Sequence, residues 1–442
     1  MIEVPLGEKS IEDYIEYVGT EQIERIKETA GSLTGLRVLH LSSTPYGGGV
    51  AELLSSLVPL MNCLGLDVHW QVLERDDGFF TITKILHNSL QGMGAEWTPE
   101  MTDAYIARSR EYARSFKDSY DIVVIHDPQP AVIAGLLEEE SRRQAAWIWR
   151  CHLDLSAPNP EALRLVNSLL THCYECAIFT SRKFIPRDLQ VESTLIAPSI
   201  DPLNPKNMPL DPEVVRDTVA RYGVEPDLPM AVQVSRFDPW KDPLGVMDAV
   251  ELARETVPDL QLAFIGSMAN DDPEGYHYYR KTAKRAAAVP GVLILTNVDG
   301  IGNLGVNAFQ RTADVIVQKS IREGFGLTIS EGLWKSKAVV AGNVGGIPLQ
   351  VDDGINGFLV DSVEECADRI VHLLRDPEER ERFGRAGRAK VQQQFLTPRH
   401  LEDYLNLFKR LSSTRSEERG LVAEQRSGLP DCADKDGGAR CV

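Results

Sequence analysis

The chain is short of positive charge. Its 442 residues carry 47 lysines and arginines against 65 acidic residues, a formal net charge of −18. That balance argues against general binding to nucleic acid or to an anionic membrane surface, since both need a basic face. Long apolar runs are also missing: nothing approaches the length of a membrane span. The stretch Met1-Ile-Glu-Val-Pro-Leu-Gly-Glu-Lys9 lacks the apolar core of a signal peptide. The seven cysteines are scattered and odd in number, and Cys173-Tyr-Glu-Cys176 is a CxxC without a second pair. This usage fits a reducing compartment rather than a disulfide framework, so a cytoplasmic location is expected. Metal signatures are lacking as well. The nine histidines show no HExxH spacing, and the one Asp-x-Asp is Asp434-Lys-Asp436, close to the end of the chain. No GxSxG supports a serine hydrolase. No metal and no other cofactor is therefore expected.

What is present is alternation. The length calls for two or three domains. After a polar, amphipathic lead-in over residues 8–31, short apolar runs alternate with helical patterns. The runs are Leu36–Ser42, Val68–Leu73, Ile122–His126, Trp147–Cys151, Tyr174–Phe179 and Thr194–Ile196. A proline-rich stretch from Ala197 to Pro209 interrupts the pattern and reads as an interdomain linker. A second series follows, with strands expected at Met230–Ser235, Leu260–Ile265, Val292–Leu295, Val315–Gln318, Ala338–Ala341 and Phe358–Val360. Helical patterns at Glu378–Phe395 and His400–Leu411 close it. Strands alternating with helices imply parallel sheets covered on both faces. The expected architecture is α/β, two doubly wound Rossmann-like domains facing across a cleft. Residues 1–200 form the N-terminal domain and 201–411 the C-terminal domain; the family resemblance given below implies that these are the acceptor side and the donor side. Residues 412–442, polar and rich in Gly, Ser, Arg and Asp, are expected to be a disordered tail that turnover does not need.

Ligands in such sheets bind at the carboxyl ends of strands, and three segments at such ends stand out. Glu323-Gly-Phe-Gly-Leu-Thr-Ile-Ser-Glu331 places two carboxylates eight positions apart around a glycine loop that opens a helix. Carboxylates accept hydrogen bonds from sugar hydroxyls, and helix-start amides near Gly326, Leu327 and Thr328 can receive phosphate. Arg236 and Lys241 follow a strong strand and suit phosphate, one as a planar fork and one as a point charge. Gly47-Gly48-Gly49 lies between a strand and a helix, where glycine lets the backbone approach a ligand; alone it reads equally well as a tight turn. His152 and His126-Asp127-Pro-Gln129 also end strands. His152 reads equally as a sugar contact or a buried structural histidine. Asp127 and Gln129 read as acceptor ligands or as helix caps.

Together these segments resemble the retaining glycosyltransferases of family 4, which have the GT-B fold. The likeness runs from about Leu36 to Leu411. Ser42-Ser-Thr-Pro-Tyr-Gly-Gly-Gly-Val-Ala-Glu52, Trp149-Arg-Cys-His-Leu-Asp-Leu-Ser156, Val234-Ser-Arg-Phe-Asp-Pro-Trp-Lys241 and Ser320-Ile-Arg-Glu-Gly-Phe-Gly-Leu-Thr328 are similar to the glycosyltransferring trehalose synthases and the related trehalose phosphorylases. The resemblance implies that Arg236 and Lys241 bind the donor pyrophosphate and Glu331 the nucleotide ribose. It places Glu323 near the 3- and 4-hydroxyls of the donor glucose and His152 near its 6-hydroxyl. Gly48 and Gly49 would line the phosphate and acceptor region, with the backbone of Phe325, Gly326, Leu327 and Thr328 also facing the donor. The family's Gly-Gly-x-x-Glu element appears as Gly345-Gly-Ile-Pro-Leu-Gln350 without its glutamate, and no catalytic role is carried to it.

The implied reaction joins UDP-glucose or ADP-glucose to free glucose, giving α,α-trehalose. A phosphorylase that uses α-glucose 1-phosphate is the alternative, and a catalytically silent sugar- or nucleotide-binding regulator is a third. The expected partners are therefore small molecules: the nucleotide sugar, glucose and trehalose. The preferred base and the oligomeric state, a homodimer included, stay open.

Overall fold

The computed structural model describes residues 1–427 apart from 95, 117 and 269–272. The first sheet contains β1 (Ile2–Glu3), β2 (Arg37–Ser42), β3 (Asp67–Val72), β4 (Ile122–His126), β5 (Ala146–Arg150), β6 (Cys176–Phe179) and β7 (Glu192–Leu195). Their spatial order is β1-β3-β2-β4-β5-β6-β7. All neighbours are parallel except β1, which runs antiparallel to β3. β4 and β5 are buried at every position, as continuous apolar strands covered on both faces should be. Alternate residues feed two cores. Val38, Val124, Ile148 and Ile178 face one, and Leu39, Leu41, Val123, Trp147, Trp149 and Phe179 face the other.

The second sheet contains β8 (Met230–Val234), β9 (Gln261–Gly266), β10 (Val292–Thr296), β11 (Val315–Gln318), β12 (Ala338–Gly342) and β13 (Gly357–Val360). It is parallel throughout, in the order β10-β9-β8-β11-β12-β13. In each sheet the strand order reverses once, between β2 and β4 and again between β8 and β11. A crevice opens at such a reversal, because the connections leave in opposite directions. The loops after these four strands carry the triple glycine, His126-Asp127, Arg236 with Lys241, and Glu323.

The chain crosses between the sheets twice, and the crossings lie side by side. The Ile200 amide donates to Phe395 O at 2.8 Å, and the Thr397 amide donates to Ile200 O at 3.1 Å. Asp201, buried in the first crossing, accepts from Lys9 Nζ (2.7 Å), Tyr14 OH (3.0 Å) and Ser56 Oγ (2.7 Å). Arg399, in the second, donates to Ala197 O (2.7 Å) and Pro198 O (3.0 Å).

Two expectations change here. The pattern at His400–Leu411 does not close the second sheet. It belongs to a helix, Thr397–Ser427, that returns to the first sheet and buries Leu401, Tyr404, Leu405 and Phe408 in its core. Nor does order stop at residue 412. The helix continues to Ser427, and Arg415 donates to Ala145 O (2.9 Å) and pairs with Glu175 (3.0 Å). Residues 428–442 lie outside the described residues.

Phe408 is fully buried in the N-terminal core. Phe408→Ala should cost about 3–5 kcal/mol, as other buried Phe truncations do. Chemical denaturation followed by tryptophan fluorescence measures it. An unchanged midpoint would place this helix outside the core that holds the first sheet.

Candidate active site

The second sheet supplies the most connected part of the site. β11 ends at Gln318, and the chain then turns through Ser320 to Glu323. Glu323 is 8 % exposed. It accepts from Ser320 Oγ at 3.3 Å and forms an ion pair with Lys241 Nζ. Lys241 is delivered by a short 3-10 turn, Pro239–Lys241, capped by the buried Asp238, whose carboxylate accepts the Lys241 amide at 3.0 Å. Gln318 extends the network, donating to Ser320 Oγ (3.0 Å) and accepting from Thr328 Oγ1 (3.2 Å). Arg236 is exposed at the edge, 3.5 Å from Asp238 Oδ2.

The Gly-Phe-Gly loop is anchored from beneath. Phe325 is buried edge-on against Phe395, ring centroids 5.4 Å apart, so its side chain is a core anchor and only its backbone belongs to the loop. Gly326 has φ +85°, a left-handed conformation that favours glycine, and N-caps the helix Leu327–Trp334. With glycine there, no side chain caps the first amides. Gln350 holds the loop from below. Its amide donates to Phe325 O (2.5 Å) and Gly326 O (3.3 Å) and accepts from Ser330 Oγ (2.5 Å). A carboxylate could not make the two donations, which is a physical reason for an amide at this position.

The first sheet comes close on the other side. Gly48 N-caps the helix Gly49–Cys63, again without a side-chain cap. Gly49 packs on the second domain: a Cβ there would lie 3.1 Å from Leu327 Cδ1, whereas one on Gly48 would meet open space. Gly324 lies against the His152 carbonyl, where a Cβ would come within 2.1 Å of its oxygen. Arg322 Nη1 donates to Ser156 Oγ at 2.8 Å. Two uncapped helix N-termini and one cation–carboxylate pair thus come together where the two domains touch. Amides so placed bind anions.

Asp127 and Gln129 differ from expectation. Asp127 has φ +63°, and its Oδ1 accepts the His152 amide at 2.8 Å. That oxygen orients the His152 backbone. Burial lifts its pKa to about 7, against the opposing His152 hydrogen bond and the Arg150 charge. Gln129 Oε1 is buried without a partner, so an unmet acceptor remains in this loop.

Glu331 is the second difference. It is 1 % exposed, and its partners are Gln310 Nε2 (2.9 Å) and Lys206 Nζ (3.3 Å). Lys206 comes from the linker and also pairs with Glu52 at 2.5 Å, so it joins the two domains. Burial alone would raise the Glu331 pKa, but Lys206, Lys335 and the Gln310 hydrogen bond together bring it below the ordinary carboxylate range. Lys335, donating to Asn207 Oδ1 at 3.1 Å, is pushed down to about 7 by burial despite Glu331. Sequence reasoning missed Lys206, Lys335 and Gln310. Nothing in their local pattern marks them, since Lys206 and Gln310 reach Glu331 from other elements. Among the described residues, one His/Asp/Glu group with metal-ligand proximity exists, His372, Asp376 and Glu379. It is largely exposed, and Asp376 and Glu379 are already engaged as a helix cap and as the partner of His372.

Comparison with known proteins bears on the family and the fold. Residues 40–186 match the family described as trehalose synthase, N-terminal domain, and residues 216–390 match glycosyl transferases group 1. The chain is 45% identical over 412 residues to the trehalose synthase of Rubrobacter xylanophilus, covering 92% of this chain and 98% of that one. It is 42% identical over 402 residues to the trehalose synthase of Thermococcus litoralis, covering 90% and 96%. The trehalose phosphorylase of Pleurotus pulmonarius is more distant, 29% identical over 400 residues, with 79% of this chain and 54% of that one covered. Among solved structures, the sucrose-phosphate synthase of Thermosynechococcus elongatus superposes with TM-score 0.66 at 18% identity, covering 86% of this chain and 100% of that one. The fold is GT-B, as the family resemblance implied.

Two outcomes follow from the buried charges. Glu331→Gln leaves Lys206 with Glu52 alone and takes the nearby carboxylate from Lys335, and should destabilise the protein by about 3–5 kcal/mol. Lys335 keeps its proton in the unfolded chain up to about pH 10.4, but in the folded chain only up to about 7. The unfolded state therefore binds more protons between those values, and stability rises with pH there. Thermal unfolding of wild type and Lys335→Met from pH 6 to 10 checks this. The wild type should gain on the variant as pH rises, and parallel curves would contradict the depressed lysine.

Proposed function

This chain belongs to the trehalose synthase family of group 1 glycosyl transferases, and from that premise we propose that it transfers glucose, with retention, from UDP- or ADP-glucose to free glucose, forming α,α-trehalose and the nucleoside diphosphate. That it is a glycosyltransferase enzyme of trehalose metabolism follows from the family; the donor and acceptor are the proposal. The observation that carries it is the meeting of strand ends from the two sheets. Lys241, Glu323 and Ser320 stand at the ends of β8 and β11, with the uncapped amides after Gly326. They face His152 and the uncapped amides after Gly48 at the ends of β5 and β2.

In this reading the pyrophosphate takes Lys241 and Arg236 together with those amides, which offset the charge that builds on the leaving phosphate. Glu323, relieved of Lys241 as the phosphate binds that ammonium, accepts from the glucose hydroxyls. No side chain is placed as a nucleophile. The acceptor hydroxyl attacks on the face the phosphate leaves, and the departing phosphate oxygen takes its proton. The protein's share is positioning, which can supply roughly 7–11 kcal/mol when the reacting atoms are held close. The cleft between the domains keeps out the water that would otherwise hydrolyse the donor. This chemistry calls on no cofactor.

One observation favours the phosphorylase as a second reading. Glu331, the candidate ribose ligand, is buried and already paired with Lys206 and Gln310. Glu331→Gln separates the two. If Glu331 holds a ribose, affinity for the free nucleoside diphosphate should fall by about 1.5–3 kcal/mol, while binding of glucose 1-phosphate stays unchanged. Unchanged nucleotide affinity in folded protein would move the assignment toward the phosphorylase.

Two further outcomes test the main reading. Proton NMR of the product from glucose and each nucleotide sugar should show an α,α-1,1 linkage; a β-anomeric signal or another linkage rules it out. Lys241→Ala and Arg236→Ala should each lower turnover by about 10²–10³, the usual cost of removing one charge-stabilising donor. Near-normal turnover in both folded variants would remove them from the site.

A further inference from the structure

A chain of three imidazoles runs inward from the cleft. His152 Nε2 lies 3.0 Å from His126 Nδ1, and His126 Nε2 lies 3.0 Å from His40 Nδ1. The His126 and His152 rings stack, with centroids 5.3 Å apart and planes at 16°. His40 is fully buried and His126 is 3 % exposed, whereas His152 is partly exposed where the cleft begins. Strand register explains the line. His40 on β2 pairs with Val124 on β4, two residues before His126, and His126 pairs with Arg150 on β5, two residues before His152. All therefore face the same side of the sheet, the side covered by the helix Thr397–Ser427. Tyr404 and Phe408 of that helix pack on the His40 ring.

All three rings are held neutral, because burial disfavours the imidazolium and, at His126 and His152, Arg150 adds its own charge. A neutral imidazole has one N–H and one lone pair. Each 3.0 Å contact needs one of each, so the three tautomers are locked together. Either all three carry the proton on Nδ1 and the chain donates outward, or all three carry it on Nε2 and the chain donates inward. The inner end chooses. His40 Nε2 is buried with no protein partner, and so are all three guanidinium nitrogens of Arg150, on the same face of the sheet. The Arg150 donors on this face are thus already without protein acceptors. An N–H on His40 Nε2 would add another orphan donor, whereas a lone pair supplies an acceptor, directly or through a buried water.

We infer that His40 and His126 are positioning residues: their hydrogen-bond chain fixes His152 as the Nδ1–H tautomer and presents that N–H to the cleft as a donor. The sugar oxygen it would meet rests on the reading proposed above; the tautomer does not. His400 sits near the same face, with Nδ1 3.0 Å from Ser199 Oγ in the domain crossing and Nε2 unpartnered. Asp403 and Arg399 pair with each other beside it.

The test reads the tautomer in the free protein. Long-range proton–nitrogen NMR of the ¹⁵N-histidine-labelled chain distinguishes Nδ1–H from Nε2–H. His152 should be Nδ1–H and unprotonated at neutral pH. An Nε2–H or imidazolium His152 overturns the inference whatever the enzyme's substrates prove to be. His40→Phe keeps an aromatic ring under Tyr404 and Phe408 but removes the inner donor. His152 should then populate the Nε2–H form, with turnover falling about tenfold, a partial version of losing one donor. His40→Asn, whose amide N–H stands near the lost Nδ1–H, should restore both tautomer and turnover. If His40→Phe leaves the His152 signal and the turnover unchanged, the chain sets nothing and the inference fails. If that variant does not fold, the wild-type spectrum still decides.

Discussion

The site depends on how the two crossings between the sheets are tied together. Each switch point alone is a crevice at the end of one sheet. They form one site only if the sheets are held face to face, and the segments at Ile200 and Leu396–Thr397 do this as a pair. Their backbones bond to one another, Asp201 is fixed by Lys9, Tyr14 and Ser56, and Arg399 clasps the linker carbonyls. The first crossing is thus pinned by side chains of the first domain, and the second is pinned to the first.

Charge is concentrated in the same place. The chain is strongly acidic overall, yet several of its cations are drawn into the space between the domains, where Lys241 meets Glu323 and Lys206 joins Glu52 to Glu331. Buried pairs of this kind gain little net stability over apolar packing, and breaking one is costly. Their value lies in placement. An anionic donor meets cations held at fixed points, while the outer surface repels anions that do not fit. Lys206 also comes from the linker, so its pairs with Glu52 and Glu331 tie both domains to the crossing.

Gln350 and Asp127 show how roles read from residue type alone go astray. By residue type Asp127 reads as an acceptor ligand or as a helix cap, and neither reading includes the partner it has here. Its left-handed backbone turns the carboxylate onto the His152 amide, a conformation that local sequence does not announce. Gln350 carried no role, yet it holds the Gly-Phe-Gly loop by its amide. Both act through backbone atoms of segments distant in the chain, and side-chain chemistry alone does not disclose such partners.

The sequence by itself determined the elements, the two doubly wound halves and the strand ends that bear Arg236, Lys241, Glu323 and His152. Those features are local: apolar runs of strand length, glycines where the chain turns, and polar residues directly after a strand. Only the tertiary structure decided that the last helix returns to the first sheet, that Glu331 faces Lys206 and Gln310, and that His40, His126 and His152 fall in line. These depend on contacts between residues far apart in the chain. The apolar face of the last helix would fit either domain equally well. A buried carboxylate takes whichever cations the packing brings to it, and a hydrogen-bonded row of rings needs strand register that no single segment encodes.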